Sequence, residues 1–158
     1  YDQTIDKRGG TAVKIIEGEQ ADCLRSRFID AFIDQEGEVY TQSISKPFAC
    51  SDGMCYMGYL WDALKDPVLI SEEEILRRLS LQDHFYVMWD IHSKDYIYIP
   101  DYWKYPKKSV LLVTADEFRS MQHTLPEDIY LFDDSFCWTY IFTHEDLNGA
   151  RFCLSFRE

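Results

Sequence analysis

Apolar residues recur along this chain in two periods, and the switches between them predict its elements. Over 18–37, "GEQADCLRSRFIDAFIDQEG", the residues Ala21, Leu24, Phe28, Ala31 and Phe32 follow steps of three and four. That spacing predicts an amphipathic helix with Gly37 as its stop. "ISEEEILRRL" (70–79) predicts a second helix. Ser71 and Glu74 form a capping box there, Ile70 staples onto Ile75, and the acids lead while the arginines trail. "TADEFRSMQ" (114–122) repeats this logic with Thr114, Glu117, Val113 and Phe118.

Alternating or continuous apolar runs predict strands at "TAVKII" (11–16), "EVYTQSI" (38–44), "HFYVMWDI" (84–91), "KDYIYIP" (94–100) and "SVLLVT" (109–114). Three more close the chain: "DIYLFDD" (128–134), "FCWTYIFTH" (136–144) and "RFCLSFR" (151–157). Asn148-Gly149 suits a tight turn between the last two. The stretch 45–67 is broken by Pro47, Gly53 and Gly58 and closed by Pro67. It reads as irregular, its second half a helix or a strand entering a short helix. Strands in runs with short connections predict an α+β fold: one domain over 11–158, a mostly antiparallel or mixed sheet packed by two to three helices. The polar residues 1–10, ending in two glycines, read as a flexible arm.

Composition adds a partner type. With 16 Lys+Arg against 28 Asp+Glu the formal charge is −12, which opposes nucleic acid and anionic membrane and favours a basic partner. Solubility alone accounts for many chains this acidic. Eleven tyrosines and four tryptophans exceed what a core of this size needs, and such side chains favour protein interfaces. No apolar run is long enough to span a membrane. Five cysteines, an odd number, read as reduced thiols in a cytosol. The chain opens on Tyr1 rather than Met, so a leader ahead of it stays an open alternative.

Chemistry is sparse. His144-Glu145-Asp146 with Asp133 and Asp134 is the best constellation for acid–base or metal work, because a carboxylate can orient an imidazole that titrates near neutrality. Neighbours on a strand face opposite ways, however, and a strand edge running into a polar turn is the plainer reading. Phe136, Trp138, Tyr140 and Phe142 should share one face, with His144 in register. Asp133-Asp134-Ser135 reads as a hairpin turn.

Cys50 and Cys55 lack the second pair that a zinc ribbon needs, so no metal or cofactor is expected. A nucleophilic cysteine would need His84, His92 or His123 beside it. Cys23, Cys137 and Cys153 read as small buried hydrophobes. "YWKYPKK" (102–108), with Tyr98 before it, is an aromatic, basic run whose Tyr102, Trp103 and Tyr105 fit a protein-binding spot, or simply a solvated loop. Nucleotide-loop, zinc-protease, serine-hydrolase and calcium-loop motifs do not occur.

The closing pattern "LPEDIYLFDDSFCWTYIFTHE" followed by "RFCL", with "GYLWDAL" (58–64) upstream, resembles a family of small acidic bacterial domains of unknown function. The likeness rests on Asp128, Tyr130, Phe136, Trp138, Thr139, Thr143, His144 and Glu145, and covers about a third of the chain. It implies a bacterial, cytosolic protein and no particular reaction. Domains of this style are also similar to immunity proteins, which neutralise toxins by binding them. The expected function is therefore non-enzymatic: a protein-binding surface for a basic partner, drawn from Tyr98, Tyr102, Trp103, Tyr105, Asp133, Asp134, His144 and Glu145. The alternative is a small enzyme or metal-binding protein that uses His144 with nearby carboxylates.

Overall fold

The computed structural model describes residues 13–93 and 105–157. The arm at 1–10, the strand expected at 94–100, and Tyr98, Tyr102 and Trp103 lie outside them. Seven strands form one sheet, every pairing antiparallel: β1 (Lys14–Ile16), β4 (Val68–Ile70), β5 (Phe85–Trp89), β6 (Val110–Val113), β7 (Ile129–Phe132), β8 (Trp138–Leu147) and β9 (Ala150–Arg157). Their spatial order is β1-β6-β5-β7-β8-β9-β4. A separate hairpin pairs β2 (Phe48–Cys50) with β3 (Gly53–Cys55). The helices are α1 (Gly18–Phe32), α2 (Glu72–Leu79) and α3 (Ala115–Met121). This is an α+β single domain, and none of the described helices is long and apolar enough to cross a membrane.

Register sorts the sheet into two faces. Tyr86, Met88, Tyr130, Phe132, Ile141 and Leu154 line the first, under Ala21, Phe28 and Phe32 of α1 and the short turn Leu60–Ala63. Phe85, Val87, Leu111, Leu131, Phe142 and Cys153 line the second, under Ile75 and Leu79 of α2 and Phe118 and Met121 of α3. Because both faces are covered, β5 is buried at all five positions and carries no alternation. Each fully buried phenylalanine contributes roughly 1.5–3 kcal/mol of transfer free energy. Phe28 shows how α1 docks: its ring lies 4.9–5.5 Å from those of Phe32, Phe132 and Tyr130.

Local rules placed most ends. Thr114 and Glu117 complete their reciprocal cap. At α2 Ser71 accepts from the Glu74 amide, but the Glu74 carboxylate turns to Arg77 and Arg78 at 2.6 and 2.9 Å, leaving only half of the expected box. Asn148 and Gly149, both at positive φ, make the turn between β8 and β9.

Three expectations change. Residues 38–44 are helical, not extended: Thr41 Oγ donates to the carbonyls of Gly37 and Glu38, and Gln42 reaches Glu38 one turn back. Short polar side chains that bond their own backbone override a weak alternation. The helix α1 ends at Phe32, not at Gly37, because Ile33 bridges to Leu64, and Asp34 and Lys65 exchange backbone bonds with Ala63 and Phe32. Cys153 is buried as expected, but Cys23 and Cys137 are exposed. Cys23 lies off the buried stripe of α1, and Cys137 sits in the turn before β8.

Candidate functional site

The site forms where the Leu60–Ala63 turn crosses the end of β7. Its anchor is Asp90, buried just after β5. Tyr56 Oη donates to Asp90 at 2.7 Å, Tyr130 Oη at 2.6 Å, and the Leu60 amide at 2.9 Å. Tyr130 Oη also accepts the Trp61 amide at 3.0 Å. One carboxylate and one phenol thus satisfy the first two N–H groups of the turn, which holds Tyr59 and Trp61 in place. Burial pushes the Asp90 carboxyl up, against the opposing pull of His92 and the three donors. Burial, then the Asp90 charge, drives the Tyr56 and Tyr130 phenols well up. Arg25, a polar position inside α1, is buried as well and donates to the carbonyls of Trp89, Lys108 and Ser109 at 2.8–2.9 Å.

Over this base lies a row of rings. Tyr59 stacks on Trp61 at 5.4 Å, meets His92 edge-on at 5.0 Å, and packs against His144 at 5.0 Å. His92 Nε2 donates to Gly58 O at 2.5 Å, a carbonyl presented by a glycine at φ +82°. Beside the row is a pocket of about 140 Å³ whose walls include Phe48, Tyr56, Met57, Tyr59, His92 and Ser93.

Asp128 joins the row to the sheet. Its Oδ1 accepts the Trp61 indole N–H at 2.9 Å and the His144 amide at 3.1 Å, and the His144 ring Nδ1 lies 3.0 Å from both carboxylate oxygens. Burial opposes a charged His144, but the bond and charge of Asp128, with Glu145 and Glu127, outweigh it and raise the imidazole above its usual value. The rim is negative. Burial raises the Tyr59 phenol, helped by Asp128, Asp90, Asp62 and Glu127. Burial and Glu145 raise the Asp62 carboxyl, against His144.

The expected site residues scatter. His144 and Glu145 belong to this rim. His144 does not continue the face of Trp138, Tyr140 and Phe142, as its spacing implied, but meets Tyr59 and Trp61 of the opposite core. The reason is a bulge: between the pairs Phe142↔Cys153 and Asp146↔Arg151, three residues of β8 oppose one of β9. Phe136 leaves that row too. At φ +51° it lies in the turn before β8 and packs against Phe132 on the first face, with Arg27 over its ring.

Asp133 and Asp134 make the β7–β8 turn as their sequence implied, Asp133 Oδ1 accepting from Ser135. They therefore do not join His144, which lies six residues along β8 from Trp138, about 20 Å at the usual rise. Asp134 accepts from Tyr86 Oη at 2.6 Å instead. Tyr105 is buried against Trp89 in the second core and offers nothing to the surface. Asp128 is the partner that sequence reasoning missed. The signal was there: pairing Ile129 with Phe142 sets Asp128 beside the Thr143–His144 step.

Compared with protein-family models, with curated proteins and with solved structures, the chain matches none.

Proposed function

We propose that this chain is a protein-binding domain of the bacterial cytosol, an immunity-like inhibitor that receives a basic side chain of its partner in the Tyr59–His92 pocket. The observation that carries this reading is the pocket itself. At about 140 Å³ it is well below the ~300–1,000 Å³ typical of small-molecule sites. It suits one protruding side chain. Aromatic walls with an exposed Met57 favour a Lys or Arg stem, and Asp62, Glu127, Asp128 and Glu145 favour its charge. The overall charge of −12 steers a basic partner to the surface and repels nucleic acid.

The test is capture by the purified chain at low and at high salt, beside a Tyr59→Ala variant. A basic protein should be retained at low salt and released as salt rises. Tyr59→Ala should weaken its binding roughly thirtyfold, the scale of a hot-spot truncation. If nothing is retained at low salt, or the variant retains the same protein equally well, the reading fails.

A second reading has one observation in its favour. Asp128 holds Nδ1 of His144, the arrangement that prepares the other ring nitrogen to act as a base. Among the described residues, however, the ring's hydrogen bonds run to Asp128 alone. A turnover that disappears in His144→Ala while far-UV circular dichroism is unchanged would favour this enzyme.

A further inference from the structure

The hairpin that lends Phe48 to the pocket carries a second group of side chains, independent of the protein-binding reading. Cys50 pairs with Gly53 and Phe48 with Cys55, so Ser51 and Asp52 form a two-residue loop. Gly53 at φ +116° permits that reversal. In this register Cys50 and Cys55 lie diagonally on one face of the ribbon. Asp52 folds back over them. One donor atom from each of Cys50, Asp52 and Cys55 lies within 4.8 Å of the other two.

Two of the three residues already hold a cation. Lys107 Nζ lies 2.9 Å from Asp52 Oδ2, 3.4 Å from Asp52 O and 3.2 Å from Cys55 Sγ. The carboxylate and the ammonium are 17% and 10% exposed and Cys55 is 1% exposed, so these three are largely shielded from water, while Cys50 is partly buried. The sequence hid this set, since Cys50 and Cys55, with four residues between them, have no second cysteine or histidine pair to complete a zinc motif. The turn adds the third donor.

The geometry points to a site for a thiophilic divalent cation, zinc being the natural probe, held by Cys50 Sγ, Asp52 Oδ and Cys55 Sγ. Two sulfurs and a carboxylate oxygen are a zinc-type donor set, and three protein ligands leave the fourth tetrahedral position to water. Ligand atoms around tetrahedral zinc lie about 3–4 Å apart at bond lengths of ~2.0–2.3 Å, so the set need contract by only about 1 Å. The metal takes the place of the Lys107 ammonium, so the lysine is a built-in competitor.

The reduced full chain, titrated with Co²⁺ and then with Zn²⁺, tests this. One equivalent of Co²⁺ should give thiolate-to-cobalt charge-transfer absorption that one equivalent of Zn²⁺ abolishes. Cys50→Ser with Cys55→Ser should remove the band and weaken zinc binding by more than about tenfold, the lower end of what altered metal sites lose. Lys107→Met should tighten it. If the double cysteine variant folds poorly, Asp52→Asn serves: the band persists and zinc binds more weakly. A spectrum without charge transfer, or zinc affinity unchanged in the cysteine variant, overturns the site and leaves only loose binding to the acidic surface.

Discussion

The two faces of the sheet are both closed by helices, yet they are built from different chemistry. The second face is an apolar seam: Phe85, Val87, Leu111, Leu131, Phe118 and Phe142 are all fully buried. The first face carries comparable aromatics, but Tyr130 and Tyr86 end in hydroxyls that bond to Asp90 and Asp134, and Arg25 is buried at its border. Apolar packing makes a face stable without directing it at anything. A buried carboxylate with three donors fixes one backbone arrangement above it, and that arrangement carries Tyr59 and His144 to the surface over the buried ring of His92. The second face holds the fold, and the first holds the site.

Substitutions can sharpen or break this division. The largest effect is expected on the second face. Phe118→Ala leaves a cavity beside Phe85 and Phe142, whose rings lie 5.7 and 6.1 Å away, and should cost about 3–5 kcal/mol in urea unfolding. A cost under about 1 kcal/mol would mean that the face collapses readily and is not the rigid half.

On the first face Tyr130→Phe conserves volume and deletes one hydroxyl, so it isolates the polar contribution. Asp90 and the Trp61 amide each lose a partner, and the expected cost is about 1–3 kcal/mol with the Tyr59–His144 packing loosened. Paired NMR spectra would show His144 resonances shifting. Unchanged stability together with an unmoved His144 would break the link between the buried carboxylate and the surface row.

The smallest effect is electrostatic. Because the folded His144 titrates above its ordinary value, its pairing with Asp128 stabilises the fold fully below about pH 6.5. That contribution fades as pH rises through the folded value. NMR titration should place the His144 midpoint above 6.5, and Asp128→Asn should bring it down. A midpoint that ignores Asp128→Asn would make the pair a packing contact only.

Much of the frame was legible along the chain. The period of α1, the caps at Ser71 and Thr114, the turn at Asn148-Gly149 and the apolar runs of β5 to β9 are signals within a few residues of one another. The stretch 38–44 misled because alternation is a weak signal where short polar side chains can bond their own backbone. The edge strand β4 went unread for a related reason. Its three residues exist as a strand only because β9 lies alongside, and Val68 and Leu69 stay exposed.

By itself, then, the sequence determined the α+β class, the helix ends with strong caps, the order of the closing strands and the acidic character of the surface. Only the tertiary structure decided which acid serves His144, which face that histidine joins, and how Cys50, Asp52 and Cys55 come together. Period and capping are local, and their physics acts within one or two turns of chain. The partnership of His144 with Asp128 spans sixteen residues and depends on strand register and one bulge. A bulge turns the residues inside it off the faces that alternation assigns them, and no count of residues along the strand foretells it.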